Sequence, residues 1–145
     1  MLSMNEDDYN RALSGDKDLT GTNLEGAELI SANLEGAELI SANLEGANLR
    51  EANLRGATLY EANLGGANLR EANLGGANLG GANLEGANLR GADLGGAVLT
   101  EANLTKADLT DASMQYVEMA YAVLTDADLT DADLEGTHME NIRGV

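Results

Sequence analysis

The chain has 145 residues, with 8 Lys and Arg against 25 Asp and Glu, for a formal net charge of −17. It contains no Cys, Pro, Phe or Trp, which excludes a disulfide framework, a thiolate metal site and a core of mixed large shapes. The charge disfavours direct binding to nucleic acid, whose affinity comes largely from Lys and Arg on phosphates. No stretch approaches the roughly 18 apolar residues of a membrane helix. No charged-then-apolar leader opens the numbering, so a cytoplasmic protein is expected, or a periplasmic or thylakoid-lumenal one if a leader has been removed.

Residues 1–16 read as an N-terminal helical cap. Ser3 and Glu6 have capping-box spacing, Asp7 and Asp8 favour a helix start, and Gly15 is a stop signal. A short helix from about Met4 to Ser14 follows, with Tyr9, Ala12 and Leu13 on the side that would cover the next element.

Residues 17–141 carry a strict beat of five. Leucine or methionine stands at every fifth position from Leu19 to Met139, which makes 25 unbroken pentads. Alanine stands two residues earlier from Ala27 to Ala132, with Val117 the one break, and the residue between is usually Asn or Asp. Five matches neither the helical period of 3.6 nor the strand period of 2. A short extended piece followed by a bend does fit, because alternate residues of an extended piece share a face and put Ala and Leu inward together. Four pieces and four bends close a square, and coils about 4.8 Å apart give a stack of about six coils, about 30 Å long.

The four-sided choice is supported by glycine. Gly26, Gly46, Gly66 and Gly86 form one series of period twenty, and Gly36, Gly56, Gly76 and Gly96 form another. Type II turns with positive φ are expected at these two corners. The other two carry Ser31, Ser41, Glu51, Glu61, Glu71 and Glu101, so a second turn chemistry that accepts a Cβ is expected there. The absence of proline agrees with strands that each need their ladder donor.

The same spacing builds outward columns. Arg50, Arg70 and Arg90 align, flanked by Glu51 and Glu71, and form a basic stripe on an acidic rod. Asn23, Asn43, Asn63, Asn83 and Asn103 align as amides able to bond from coil to coil. Near the end the repeat loosens at ASMQYVEMAYAVL. There Met114 and Met119, and later Met139, replace core leucine, and Tyr116, Tyr121 and Val123 face outward. Residues 142–145 are a tail in which Ile142 and Val145 either fold across the last coil or leave it bare. Outward aromatics beside an open stack end are interface material, so Tyr116, Met119, Tyr121, Met139 and the column Arg50, Arg70 and Arg90 are the candidate partner contacts.

No catalytic constellation is present in the sequence. His138 stands alone, the carboxylates are spread over convex faces without a pocket, and the Gly-Gly pairs lie at corners and not in a phosphate loop. No catalytic, cofactor-binding or metal residue is assigned, and no enzyme activity is expected.

The A-(N/D)-L-x-x pattern, as in Ala47-Asn48-Leu49-Arg50-Glu51 and Ala107-Asp108-Leu109-Thr110-Asp111, resembles the signature of pentapeptide-repeat proteins over residues 17–141. The resemblance implies an all-β fold, a right-handed quadrilateral parallel β-helix, and an origin in cyanobacteria or other bacteria. It also brings two functions into view. One is a non-catalytic scaffold or protein–protein interaction module. The alternative is an acidic DNA mimic that binds DNA gyrase or another DNA-binding protein, as the quinolone-resistance members of the family do. The lack of core Phe, the arginine column and the short C-terminus count against the alternative. A protein partner is expected, with an end-to-end homodimer through the C-terminal coil as the simplest case.

Overall fold

The computed structural model describes residues 3–145, so Met1 and Leu2 of the expected cap lie outside the described residues. Helix α1 spans Glu6–Ser14. Its N-cap is Asn5, whose Oδ1 accepts the Asp8 N–H at 3.0 Å, in place of the Ser3–Glu6 box. Asn5 and not Ser3 takes the cap because Asp8, whose N–H Asn5 receives, is tied through its carboxylate to the Asn23 N–H of the first coil, which fixes where the helix begins. Gly15, at φ 86°, ends the helix in the left-handed region. Arg11 donates to Asp16 at 3.0 Å, and this hydrogen bond holds the Asp16 carboxyl below the usual carboxylate range.

The helix closes the stack by imitating the coil that would precede it. The Asn5 N–H donates to the Asn23 carbonyl at 3.0 Å, and the Asp8 carboxylate accepts the Asn23 N–H at 2.9 Å. Tyr9 Oη donates to the Glu28 carbonyl at 3.0 Å. Ala12 is buried and Met4 and Tyr9 pack on the core, but Leu13 is 54% exposed. Leu13 therefore does not belong to the covering face: Ala12 occupies its centre, and the next residue is rotated about 100° toward water.

From Asp18 onward, single parallel bridges join residues twenty apart, beginning with Asp18 to Glu38 and ending with Val123 to Arg143. Four pentads thus make one turn of a square stack. The ladder reaches Arg143, two residues past the expected end of the repeat at 141. Leu19 through Leu124 in the leucine positions are at most 2% exposed, with Met114 and Met119 among them at 0%. Thr22 takes an alanine position and stays buried because its hydroxyl donates to the Leu19 carbonyl at 2.7 Å.

The pentad can be explained by asking where its five backbone N–H groups go. In residues 67–71, Ala67 donates to Leu64 O at 3.0 Å and closes a corner. Asn68 donates back to Ala47 O at 2.9 Å, while Leu69 and Glu71 donate forward to Asn88 O at 2.7 Å and Arg90 O at 3.0 Å. Arg70 alone has no backbone acceptor, and the Asn68 side chain supplies one at 3.1 Å. The same bond recurs along the stack, the first from Thr20 on Asp18 and the last from Glu135 on Asp133. Asn and Asp are favoured between Ala and Leu because their short oxygen reaches the N–H two residues on. Asn68→Ala is expected to lower unfolding free energy by about 1 kcal/mol, read by urea titration. Val98→Ala, at an equivalent position that makes no such bond, should cost less.

The corners differ from the expectation of two turn chemistries. Every corner residue from Gly21 to Asn141 has positive φ, including Ser31 at 56°, Glu51 at 58° and Glu101 at 61°. Each from Gly21 to Gly136 is the third residue of a turn closed by the Leu or Met carbonyl and the next inward residue's N–H, as in Leu69 to Ala72 at 3.0 Å, which is type II geometry. Ladder bonds on both sides of the corner impose one conformation, and Ser and Glu adopt it with strain. Glycine marks corners where that strain is absent, not corners of a different kind.

Candidate functional site

The coils divide the outward residues among four faces and four corners. One face carries Asp18, Glu38, Thr58, Asn78, Val98, Glu118 and His138 in its central column. Beside them run Ile40, Tyr60, Gly80, Thr100 and Ala120, and the corner ending this face holds Ser41, Glu61, Gly81, Glu101 and Tyr121. The corner opening it holds Gly76, Gly96, Tyr116 and Gly136. All three tyrosines of the stack therefore lie on one face or its edges. Tyr116 is 64%, Tyr121 52% and Tyr60 46% exposed.

Tyr116 and Tyr121 bracket the Met119 side, as their spacing requires, but Met119 itself is fully buried. A further coil stacks on it, with the Met119 N–H donating to His138 O at 2.8 Å, so Met119 is a core residue and not a contact. Val123 is half-buried. Between the two tyrosines, Glu118 meets His138 Nδ1 at 2.9 Å. The Tyr116 ring lies over Gly136 on the next coil, where a Cβ would fall 2.5 Å from the ring. The pairing explains why that corner is glycine.

The last coil is open. Leu129, Leu134 and Ile142 are only partly buried, Met139 is 36% exposed and Val145 is 84% exposed. The N–H groups of Leu129, Leu134 and Met139, which run along the stack axis, have no partner among the described residues. Of the two alternatives for the tail, Ile142 packs inward at an alanine position while Val145 does not cover the coil.

The arginines occupy a different place. Arg50, Arg70 and Arg90 line the corner diagonally opposite the Glu61–Tyr121 corner. Arg50 pairs with Glu51 at 3.2 Å and Arg70 with Glu71 at 3.5 Å. Arg90, which is followed by glycine, reaches Asp111 on the next coil at 3.7 Å. These pairs are half-exposed and contribute at most about 1 kcal/mol each. Arginines and tyrosines thus cannot meet one flat partner surface together. The asparagine column is also interrupted: Asn83 donates to Asn63 at 3.1 Å, but Asn63 turns to Glu45 at 3.3 Å.

The faces are not featureless. Where Gly-Gly pairs remove side chains, shallow clefts open: one beside Gly65 and Gly66, one beside Gly75, Gly76 and Gly95, and one of about 270 Å³ beneath Tyr60. The sequence reading missed Tyr60 as a site residue. Its signal was the period of twenty, which puts residue 60 in column with 80, 100 and 120. Asp128 on another face accepts from the Thr130 hydroxyl at 2.6 Å and from its N–H at 3.0 Å, and these bonds hold its carboxyl below the usual range. Among the described residues, no helix is long and apolar enough to cross a membrane.

Comparison with known proteins agrees with this geometry. The sequence matches the family described as Pentapeptide repeats, in 8 copies, at residues 18–46, 37–76, 47–86, 77–115 and 107–143. It is similar to the crystal structure of the pentapeptide repeat protein Rfr23 from the cyanobacterium Cyanothece 51142, with 29% identity over 97% of this chain and 99% of that one, at a TM-score of 0.59. A pentapeptide repeat protein from the Arabidopsis thaliana thylakoid lumen shows 28% identity over 62% of this chain and 63% of that chain, at a TM-score of 0.61. QnrB1, a plasmid-mediated fluoroquinolone resistance protein, shares the fold at 19% identity over 87% of this chain and 76% of that one, with a TM-score of 0.57. No curated protein matches. These likenesses imply that the square stack is a right-handed quadrilateral β-helix.

Proposed function

The chain belongs to the pentapeptide-repeat family, and from that premise we propose that it is a non-catalytic scaffold or protein-interaction module. The family is in general a non-enzymatic structural fold. The observation that carries the reading is the gathering of Tyr60, Tyr116 and Tyr121 on one face of a stack whose backbone is held by a continuous ladder. Exposed aromatics on a rigid surface bind at low entropic cost, because neither the side chains nor the backbone need much ordering. The proposed organisation is a cap at 1–16, a repeat region of about six coils at 17–141 that the ladder carries on to Arg143, and the short tail. The proposed setting is the cytoplasm of a cyanobacterium. Affinity capture from a cyanobacterial extract tests the reading: the intact chain should retain a specific protein, and Tyr116→Ala with Tyr121→Ala should release it. Equal retention by the variant would argue against the tyrosine face.

The open last coil extends the proposal to self-association. Exposed Met139 and unpaired axial N–H groups invite a second copy end to end. Sedimentation at micromolar concentration should show a dimer that Met139→Glu converts to monomer, and a strict monomer for both forms would exclude it.

The net charge of −17 favours one second reading, mimicry of DNA toward gyrase or another DNA-binding protein. Asp128 and Asp133 on adjacent faces, with Asp131 at the corner between them, provide exposed charge. In a supercoiling assay this reading predicts inhibition by the chain that is lost when those three become Asn. No effect at tens of micromolar would leave the scaffold reading in place.

A further inference from the structure

The cleft beneath Tyr60 spans three coils. Tyr60 and Glu61 form its upper wall, Gly80 and Gly81 its floor with Asn78, and Val98, Thr100 and Glu101 its lower wall. Two successive glycines are what open it, since side chains at 80 and 81 would fill the space between walls that stand two strand spacings, about 10 Å, apart. Tyr60 and Glu61 both lean into the gap: a Cβ on Gly80 would lie 3.2 Å from Tyr60 Cδ2, and one on Gly81 would lie 3.4 Å from Glu61 Cγ. The Tyr60 ring thus covers the Gly80 backbone with one side and leaves nearly half its surface to solvent. Among the described residues neither Glu61 nor Glu101 takes part in an ion pair, although Glu51, Glu71 and Asp111 at other corners do.

An aromatic ring, two unpaired carboxylates on one edge and Thr100 line a shallow slot. A planar cation satisfies all of these together. A guanidinium stacks on a tyrosine ring and presents a fork of donors to carboxylates, whereas a lysine ammonium is a hydrated point charge without a plane to stack. The chain's charge of −17 selects for an electropositive partner surface. We propose that the Tyr60 cleft seats a single arginine side chain of a basic partner protein. This assignment rests on the interaction-module reading and gives that reading a partner chemistry.

Proton–nitrogen NMR of the full chain, titrated at 150 mM salt with the blocked tripeptides Gly-Arg-Gly and Gly-Lys-Gly, tests it. The arginine peptide should give saturable shifts confined to Tyr60, Glu61, Gly80, Gly81, Thr100 and Glu101, and should bind at least fivefold more tightly than the lysine peptide. Tyr60→Ala should weaken it about tenfold, and Glu61→Gln with Glu101→Gln should do the same without altering the Tyr60 packing. Glu51→Gln, at the diagonally opposite corner where the carboxylate is already paired with Arg50, should leave it unchanged. Shifts spread over all four faces, equal affinity for the two peptides, or unchanged affinity in both cleft variants would overturn the assignment. Those outcomes leave extract capture through Tyr116 and Tyr121 unaffected, so failure here and failure of the interaction reading are separable.

Discussion

Leu79→Ala is expected to lower the unfolding free energy by about 2–5 kcal/mol, the range for a buried leucine that leaves a cavity. Leu79 is fully buried, and its column neighbours Leu59 and Leu99 are too. The ladder bonds Leu79 to Val98 at 2.7 Å and Leu59 to Asn78 at 2.6 Å hold the coils at strand spacing, so they cannot collapse into the void. Leu134→Ala is the contrast. Leu134 is only partly buried, and its N–H has no partner among the described residues, so less area returns to water and the last coil can relax. Its loss should be less than half that of Leu79→Ala. Equilibrium denaturation of both variants reads the difference, and a loss below 1 kcal/mol at Leu79 would be incompatible with a closed inner column. In a stack where each coil touches only its neighbours, a central defect also weakens coupling between the halves. Leu79→Ala should therefore broaden the transition as well as shift it.

The square and its period were legible because they are written in residue identity. Leu at every fifth place defines the inward column, and glycine at every twentieth defines the coil. The cap was legible in outline from the acidic turn before Gly15. The choice of Asn5 over Ser3 was not, because both are good N-caps and the docking of Asp8 on Asn23 decides between them. The reason for Asn and Asp between Ala and Leu was also hidden. A side chain that bonds its own backbone two residues on leaves no pattern beyond its own identity, and the column of asparagines suggested bonds between coils. Those do form, but only intermittently.

The candidate contacts were partly legible for the same reason. Tyr116 and Tyr121 are outward because they hold the corner position of the pentad, where the bend breaks the alternation two residues after an inward methionine. Met119 follows the leucine beat and is buried by the coil after it, although its nearness to the expected open end made it a candidate contact. The three-tyrosine face required residue numbers to be compared modulo twenty, which joins Tyr60 to a region sixty positions later. The clefts required more still. A Gly-Gly pair in one coil becomes a recess only when the coils above and below carry side chains, as Tyr60 and Thr100 do around Gly80.

Gly66→Val is expected to cost about 2–3 kcal/mol, and Glu71→Gly to gain about 1 kcal/mol, although the two residues are neighbouring corners of one coil. A Cβ on Gly66 would meet nothing within 4 Å, so no steric contact explains the loss. The cost is in the backbone. Gly66 sits at φ 64° and Glu71 at φ 58°, where an L side chain crowds its own carbonyl by roughly 1–2 kcal/mol, and a β-branched one by more. At Gly66 the substitution introduces the whole of that strain. At Glu71 it is already present, so Glu71→Val adds only the part due to branching and should cost less than Gly66→Val. Glu71→Gly removes the strain but gives the unfolded chain more freedom and frees Arg70 from its 3.5 Å partner, which offsets part of the gain. Urea titration of the three variants gives an ordering, Glu71→Gly above the parent, then Glu71→Val, then Gly66→Val. A destabilised Glu71→Gly would mean that glutamate at this corner contributes more than its strained conformation costs. A sequence that keeps Glu, Ser or Asp at left-handed corners would then be keeping them for the charge and contacts they project.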